Sequence, residues 1–205
     1  MPANIIVKAA VEGIVDEAVV RRLLCDAQAI PGEVYGKNGK AHLRQRLRGY
    51  NNAARHAPWI VLVDLGRDAD CAPPLRSTWL PDPAPHMFFR VAVRAVEAWL
   101  LADRHGMASF LKVRRQSIPA DPEKLEDPKG VIVDLARQSR RREIREDMIP
   151  RPGSGRRVGP AYSSRVIEFA STFWRPETAL ECCDSLKRTV EGLRRLVDEW
   201  SSSRA

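Results

Sequence analysis

The run Trp59-Ile60-Val61-Leu62-Val63 is apolar without a break and stops abruptly at Asp64. Successive side chains of a strand point to opposite faces, so a strand of this composition is buried on both. That requirement selects a sheet covered by a layer on each side. Three carboxylates, Asp64, Asp68 and Asp70, then fall within one short turn. Such a concentration of negative charge is unfavourable unless a cation, a basic partner or water offsets it. In open α/β sheets, ligands bind at the carboxyl ends of the strands, where this turn is expected to sit. A divalent-metal site and a solvated acidic loop are the two readings.

The rest of the chain repeats the pattern. Asn4 to Val11 reads as a first strand, ended by Glu12-Gly13. Val15 to Ile30 follows with Val15, Val19, Val20, Leu23, Leu24 and Ala27 at helical spacing, and with Asp16 and Glu17 at the positive end of the helix dipole. Pro31-Gly32 reads as the end of that helix, and Glu33-Val34-Tyr35 as a short second strand. The loop Gly36-Lys37-Asn38-Gly39-Lys40 reads either as a phosphate cradle or as a basic turn, and it lacks the Walker spacing. Ala41 to Arg55 is an amphipathic helix with Leu43 and Leu47 inward and Arg44, Arg46, Arg48 and Arg55 on its other faces. His86 to Val93 reads as a fourth strand and Arg94 to Asp103 as a helix, which places Glu97 near a strand-to-helix junction. It is expected on the edge where Glu12 and Asp64 also lie, and a salt bridge with Arg94 or Arg90 is its plain reading. Strands alternating with helices imply a mostly parallel sheet.

From Lys112 the composition shifts. Pro, Gly and Arg dominate, with Arg140-Arg141-Arg142 and Arg156-Arg157 as the densest basic stretches. Beyond Ala161 the pattern is helical, with Val166, Ile167, Phe169, Ala170 and Phe173 at core spacing. Ser185 is suited to cap a last helix, Leu186 to Trp200. The expected organisation is therefore an α/β core over 1–111, a basic insertion over 112–160, and a helical part over 161–205 packed on the core.

The formal net charge is +8 over 205 residues, which suits a polyanionic partner, most simply DNA or RNA. Lys37, Lys40, Arg67, Arg140, Arg141, Arg142, Arg156 and Arg157 are the candidate contacts. The four cysteines form no CxxC pair and the four histidines no HExxH spacing, which disfavours a zinc hydrolase and suits free thiols. No stretch approaches the roughly 18 apolar residues of a membrane span, and no basic-then-apolar signal opens the chain. A cytoplasmic protein with no membrane association is the expectation.

Val11-Glu12-Gly13-Ile14-Val15-Asp16-Glu17, followed by Val63-Asp64-Leu65-Gly66-Arg67-Asp68-Ala69-Asp70-Cys71, resembles a TOPRIM domain, the metal-dependent Rossmann-like fold of topoisomerases, primases and OLD-family nucleases. The closer resemblance is to the TOPRIM-like DUF4276 family of bacterial phage-defence and mobile-element genes, often encoded beside an ATPase. Arg94 to Asp103, Val158-Gly159-Pro160-Ala161-Tyr162 and Ser185-Leu186-Lys187-Arg188 resemble further segments of that family. The resemblance implies a Mg2+- or Mn2+-dependent nuclease. Glu12 would be the general acid/base or a metal-facing group, and Asp64 the first metal ligand. TOPRIM domains usually carry Asp-x-Asp, and here the second acidic position is Gly66. The resemblance therefore passes the second ligand to Asp68 or Asp70, with Glu97 as a compensating carboxylate. A degenerate module that binds nucleic acid or an ATPase partner without cutting is the alternative.

Overall fold

The computed structural model describes residues 5–69 and 71–202. Four strands, β1 (Ile6–Val11), β2 (Ile30–Gly36), β3 (Trp59–Asp64) and β4 (Met87–Ala92), form one sheet in the order β2-β1-β3-β4. Every pairing is parallel. Helices α1 (Ile14–Asp26), α2 (Lys40–Ala53) and α3 (Ala72–Trp79) connect them. The architecture is α/β and Rossmann-like, with helices flanking the sheet and a helical C-terminal part, as the alternating pattern predicts.

The strand order explains the layers. From β1 the chain crosses outward to β2, then returns past β1 to β3. Right-handed crossovers therefore put α1 and α2 on opposite faces. On the α2 face, Ala10, Trp59, Val61, Val63, Phe89 and Val91 pack with Leu43 and Leu47 of α2 and Leu75 of α3. The other face presents Val7, Ala9, Val11, Ile60 and Leu62, all fully buried. The double-sided burial inferred from the Trp59 run thus follows from topology.

The chain divides into two compact units, Met1–Val93 with Ser185–Ala205, and Arg94–Asp184. Composition alone had suggested boundaries at 111/112 and 160/161. The last helix, α10 (Asp184–Ser202), explains why its tail belongs with the sheet. Gly192 lies against the Phe88 ring, where a Cβ would come within 2.5 Å, and Trp200 meets His86 edge-on at 4.5 Å. Thr189, fully buried, accepts from Arg90 Nε at 3.2 Å. The Ser185 hydroxyl accepts from the Val93 N–H at 3.3 Å, so it ties this helix to the end of β4.

The second unit is helical: α4 (Val96–Ala102), α5 (Arg104–Leu111), α6 (Pro128–Arg137), α7 (Arg142–Met148), α8 (Tyr162–Glu168) and α9 (Pro176–Ala179), with longer connections over 112–127 and 149–161. Every residue of α4 is buried.

Three expectations are corrected. Pro31-Gly32 does not end α1, which stops at Asp26, but lies inside β2. β2 is an edge strand and pairs on one side only, so the missing proline N–H is tolerated there. The helix expected from Arg94 begins at Val96, because Arg94 takes a φ of 63° and Ala95 is extended. Phe173 is 47% exposed rather than in the core. After α8 the backbone widens into a π turn, with Trp174 N–H bonded to the Phe169 carbonyl at 2.9 Å. The extra residue shifts the phase of the helix and carries Trp174 inward in place of Phe173.

Candidate functional site

Two central neighbours, β1 and β3, end side by side, and their connections leave in opposite directions. This is the topological switch point of the sheet, the place where open α/β folds bind ligands. Glu12 follows β1 and Asp64 closes β3. The Asp64 N–H donates to Glu12 Oε1 at 2.8 Å, across 52 residues of sequence. The Glu12 carboxylate therefore holds the end of β3 in place. A carboxylate offers about four acceptor sites, so this bond is compatible with facing a cation.

The basic loop folds over the same edge. Gly36, Lys37 and Gly39 all take left-handed backbone angles, with φ of 88°, 67° and 85°. Lys37 N–H donates to the Val11 carbonyl at 2.9 Å and Gly39 N–H to the Glu12 carbonyl at 3.0 Å. The Lys37 ammonium is drawn sideways to Glu17, at 3.0 Å. Burial pushes the Glu17 carboxyl up, but hydrogen bonds from Lys37 and Arg21 together hold it below its ordinary value.

Lys40 points into the site. Its ammonium pairs with Asp68 at 2.6 Å and donates to the Leu65 carbonyl at 3.1 Å and to the Asp64 carbonyl. Gly66 sits beside it with a φ of 59°, and a Cβ there would be 3.7 Å from the Lys40 nitrogen. The acidic turn is thus offset by a lysine 24 residues upstream of Asp64. Arg67 is exposed, and Asp70 lies outside the described residues.

Glu97 belongs to the second unit. It is 2% exposed, accepts from the Tyr162 hydroxyl at 3.5 Å, and pairs with Lys129 at 3.4 Å. Burial first, and then the Glu97 charge, push the Tyr162 phenol far up, so it remains a hydrogen-bond donor. Gly159 accounts for its reach. A Cβ at that position would come within 2.6 Å of the Ile149 nitrogen, so only glycine lets the chain pass α7 closely enough to start α8 at Tyr162.

Among the arginines, Arg142 pairs with Glu146 at 2.7 Å and Arg157 pairs with Asp127. Arg156 is exposed. Arg140 lines a cavity of about 430 Å3 with His105, Lys112, Arg114 and Arg115, and no carboxylate lines it. Arg141 lines a neighbouring cavity of about 270 Å3 that shares His105 and Lys112. Sequence reasoning left Lys112, His105 and the Arg114-Arg115 pair unassigned. The adjacent arginines were the one visible signal.

Among the described residues, no group of three or more His, Cys, Asp or Glu side chains is gathered closely enough to hold a metal ion. A closed protein cage is therefore not what these residues offer. Glu12 and Asp64 instead suit the mode that Mg2+ prefers, with one or two carboxylates and the remaining positions left to water and substrate phosphate. No helix of the described residues is long and apolar enough to cross a membrane. Comparison with protein-family models, curated proteins and solved structures returned no match.

Proposed function

We propose that this chain is a divalent-metal-dependent phosphodiesterase of the TOPRIM type that acts on DNA or RNA, in a bacterial defence or mobile-element setting. The juxtaposition of Glu12 and Asp64 at the switch point carries the reading. Asp64 and Glu12 would hold Mg2+ or Mn2+, which when bound polarises a phosphoryl oxygen and lowers the pKa of a bound water. Glu12 would either face that metal or take the proton of the attacking water, while it keeps the end of β3 in register. The Lys40 ammonium, bonded to Asp68 and to the Asp64 and Leu65 carbonyls, would fix the turn that follows Asp64. The cavity of Arg114, Arg115 and Arg140 supplies a cationic surface for the backbone of the polymer.

Asp64→Asn is expected to lower metal-dependent cleavage of DNA or RNA by at least about 100-fold while leaving the thermal melt unchanged. Equal residual cleavage in Asp64→Asn and wild type would reject the reading. A double Arg115→Ala, Arg140→Ala variant is expected to weaken nucleic-acid binding and to flatten the slope of log affinity against log salt by about 1.4 for single strands. An unchanged slope takes the polymer off this surface.

Gly66 and Lys40 favour a second reading, a non-catalytic module that binds nucleic acid or an ATPase partner. The second acidic position carries no side chain, and Asp68 already has an ammonium partner. Calorimetric titration with Mn2+ separates the two. The enzyme reading expects binding that disappears in Asp64→Asn, and the module reading expects no heat in either protein.

A further inference from the structure

Between α2 and α3, beside the turn that follows β3, lies a cavity of about 820 Å3. Its walls include Lys40, Arg44 and Gln45 from α2, Asp68 from the turn, and Leu75, Thr78 and Trp79 from α3, and the Lys40 ammonium is paired with Asp68 at 2.6 Å. The volume falls within the roughly 300–1,000 Å3 of small-molecule sites. Lys40 and Arg44 are four residues apart on one helix, so their cations emerge from one face. Both lie over the Trp79 ring, 5.9 and 5.4 Å from its centroid. The indole is itself fixed from behind, stacked on Phe89 of the core with centroids 6.2 Å apart and 21° between the planes.

The combination is selective. Lys40 is neutralised by Asp68, so Arg44 is the cation that calls for an anion. The Trp79–Arg44 layer and Leu75 call for a flat apolar group next to it. Gln45 and Thr78, both exposed, offer hydrogen-bonding groups at its edge. A bare phosphate would gain nothing from the aromatic wall. An aliphatic ligand would make no use of the Arg44 charge.

We propose that this groove binds one nucleotide unit, with its phosphate on the Arg44 guanidinium and its base along the Trp79 and Leu75 wall. The assignment rests on the phosphodiesterase reading for its biological sense, because Lys40 also donates to the Leu65 carbonyl of the acidic turn and so joins groove and carboxylates. A unit held here would lie next to the phosphate presented to Glu12 and Asp64.

The test measures binding in the presence of a chelator, so that no cleavage is required. Fluorescently labelled single-stranded DNA and RNA oligonucleotides are titrated by anisotropy, and unlabelled AMP and dTMP are added as competitors. Arg44→Ala and Trp79→Leu are each expected to weaken oligonucleotide binding by about tenfold. Thr78→Glu, at an exposed position, sets a negative charge in the groove without touching the Phe89 stack and guards against a Trp79 variant that fails to fold. Competition by mononucleotides at similar concentration assigns the site to a free nucleotide, and competition by oligonucleotides alone assigns it to a strand. Wild-type affinity in both Arg44→Ala and Thr78→Glu, or no nucleotide binding by wild type, overturns the proposal. Failure of the two readings is distinguishable. If cleavage requires Asp64 while the groove variants bind normally, the groove assignment falls alone. If the groove variants lose binding while no metal-dependent cleavage is found, the phosphodiesterase reading falls alone.

Discussion

Gly36→Ala is expected to destabilise the protein by roughly 3–5 kcal/mol, a large share of the about 5–15 kcal/mol that holds a domain folded. Gly36 ends β2 with a φ of 88°, and a Cβ on it would fall far inside contact distance of the Val11 carbonyl oxygen. That oxygen belongs to β1, a central strand, and also accepts the Lys37 N–H at 2.9 Å. Neither group can retreat without breaking the pairing of Val11 with Gly36 and Leu62. Gly39 is the control. Its φ of 85° is nearly the same, but nothing lies within 4 Å of its would-be Cβ. Gly39→Ala should therefore show only the backbone strain of a φ of 85° with a ψ of 170°, a region kept for glycine, about 1–3 kcal/mol. Urea unfolding followed by far-ultraviolet circular dichroism compares the two. Equal losses would mean that the close approach to Val11 contributes nothing.

Asp103→Ala carries the other large expected effect, a loss of roughly 2–4 kcal/mol. Asp103 is 1% exposed and accepts four hydrogen bonds. One comes from the Gly106 N–H at 2.9 Å, where it caps α5, and one from the Arg175 N–H at 3.1 Å. Two more come from the Arg175 guanidinium, at 3.1 and 2.6 Å. Alanine leaves those donors without an acceptor, although the Arg175 side chain, 44% exposed, recovers part of its hydration. Burial alone would push the Asp103 carboxyl up, but the Arg175 guanidinium and the two N–H donors outweigh it and hold the carboxyl below its ordinary value. A carboxyl lowered in the folded state stabilises the protein above the unfolded value, near about 4, and that stability disappears as pH falls through the folded value. Asp103→Asn should therefore show a shallower fall of the urea midpoint than wild type between about pH 4 and pH 2. Parallel curves would show that the charge of Asp103 does not contribute to stability.

Gly36 also bears on function through position. The Gly36 turn delivers Lys40 and Arg44 to the groove, because Gly39 N–H is bonded to the Glu12 carbonyl immediately before α2 starts. A Gly36 variant that still folds should bind nucleotide poorly for that reason.

Much of the sheet edge was legible from local patterns. The Trp59 run, its stop at Asp64, and Glu12 after the first apolar run placed both acids at strand ends. The strand order then made those ends neighbours. Pro31-Gly32 was misread because proline and glycine punctuate helices and edge strands alike, and only the partner strand distinguishes them. Lys37 and Lys40 looked equivalent in a basic loop. Glu17 captures one, and the acidic turn captures the other. Trp79 gave no signal, because a single tryptophan on a short amphipathic helix reads as core.

The sequence by itself determined the class of fold and the positions of the carboxylates along it. Apolar period, strand length and helix start signals are short-range properties, and a parallel α/β sheet follows from their alternation. The tertiary structure alone decided which charges meet. Glu12 reaches Asp64 across 52 residues, Asp103 reaches Arg175 across 72, and Glu97 reaches Tyr162 across 65. Such pairings depend on the order of strands and the packing of helices, and that order depends on burial summed over the whole chain rather than on any segment's own preference.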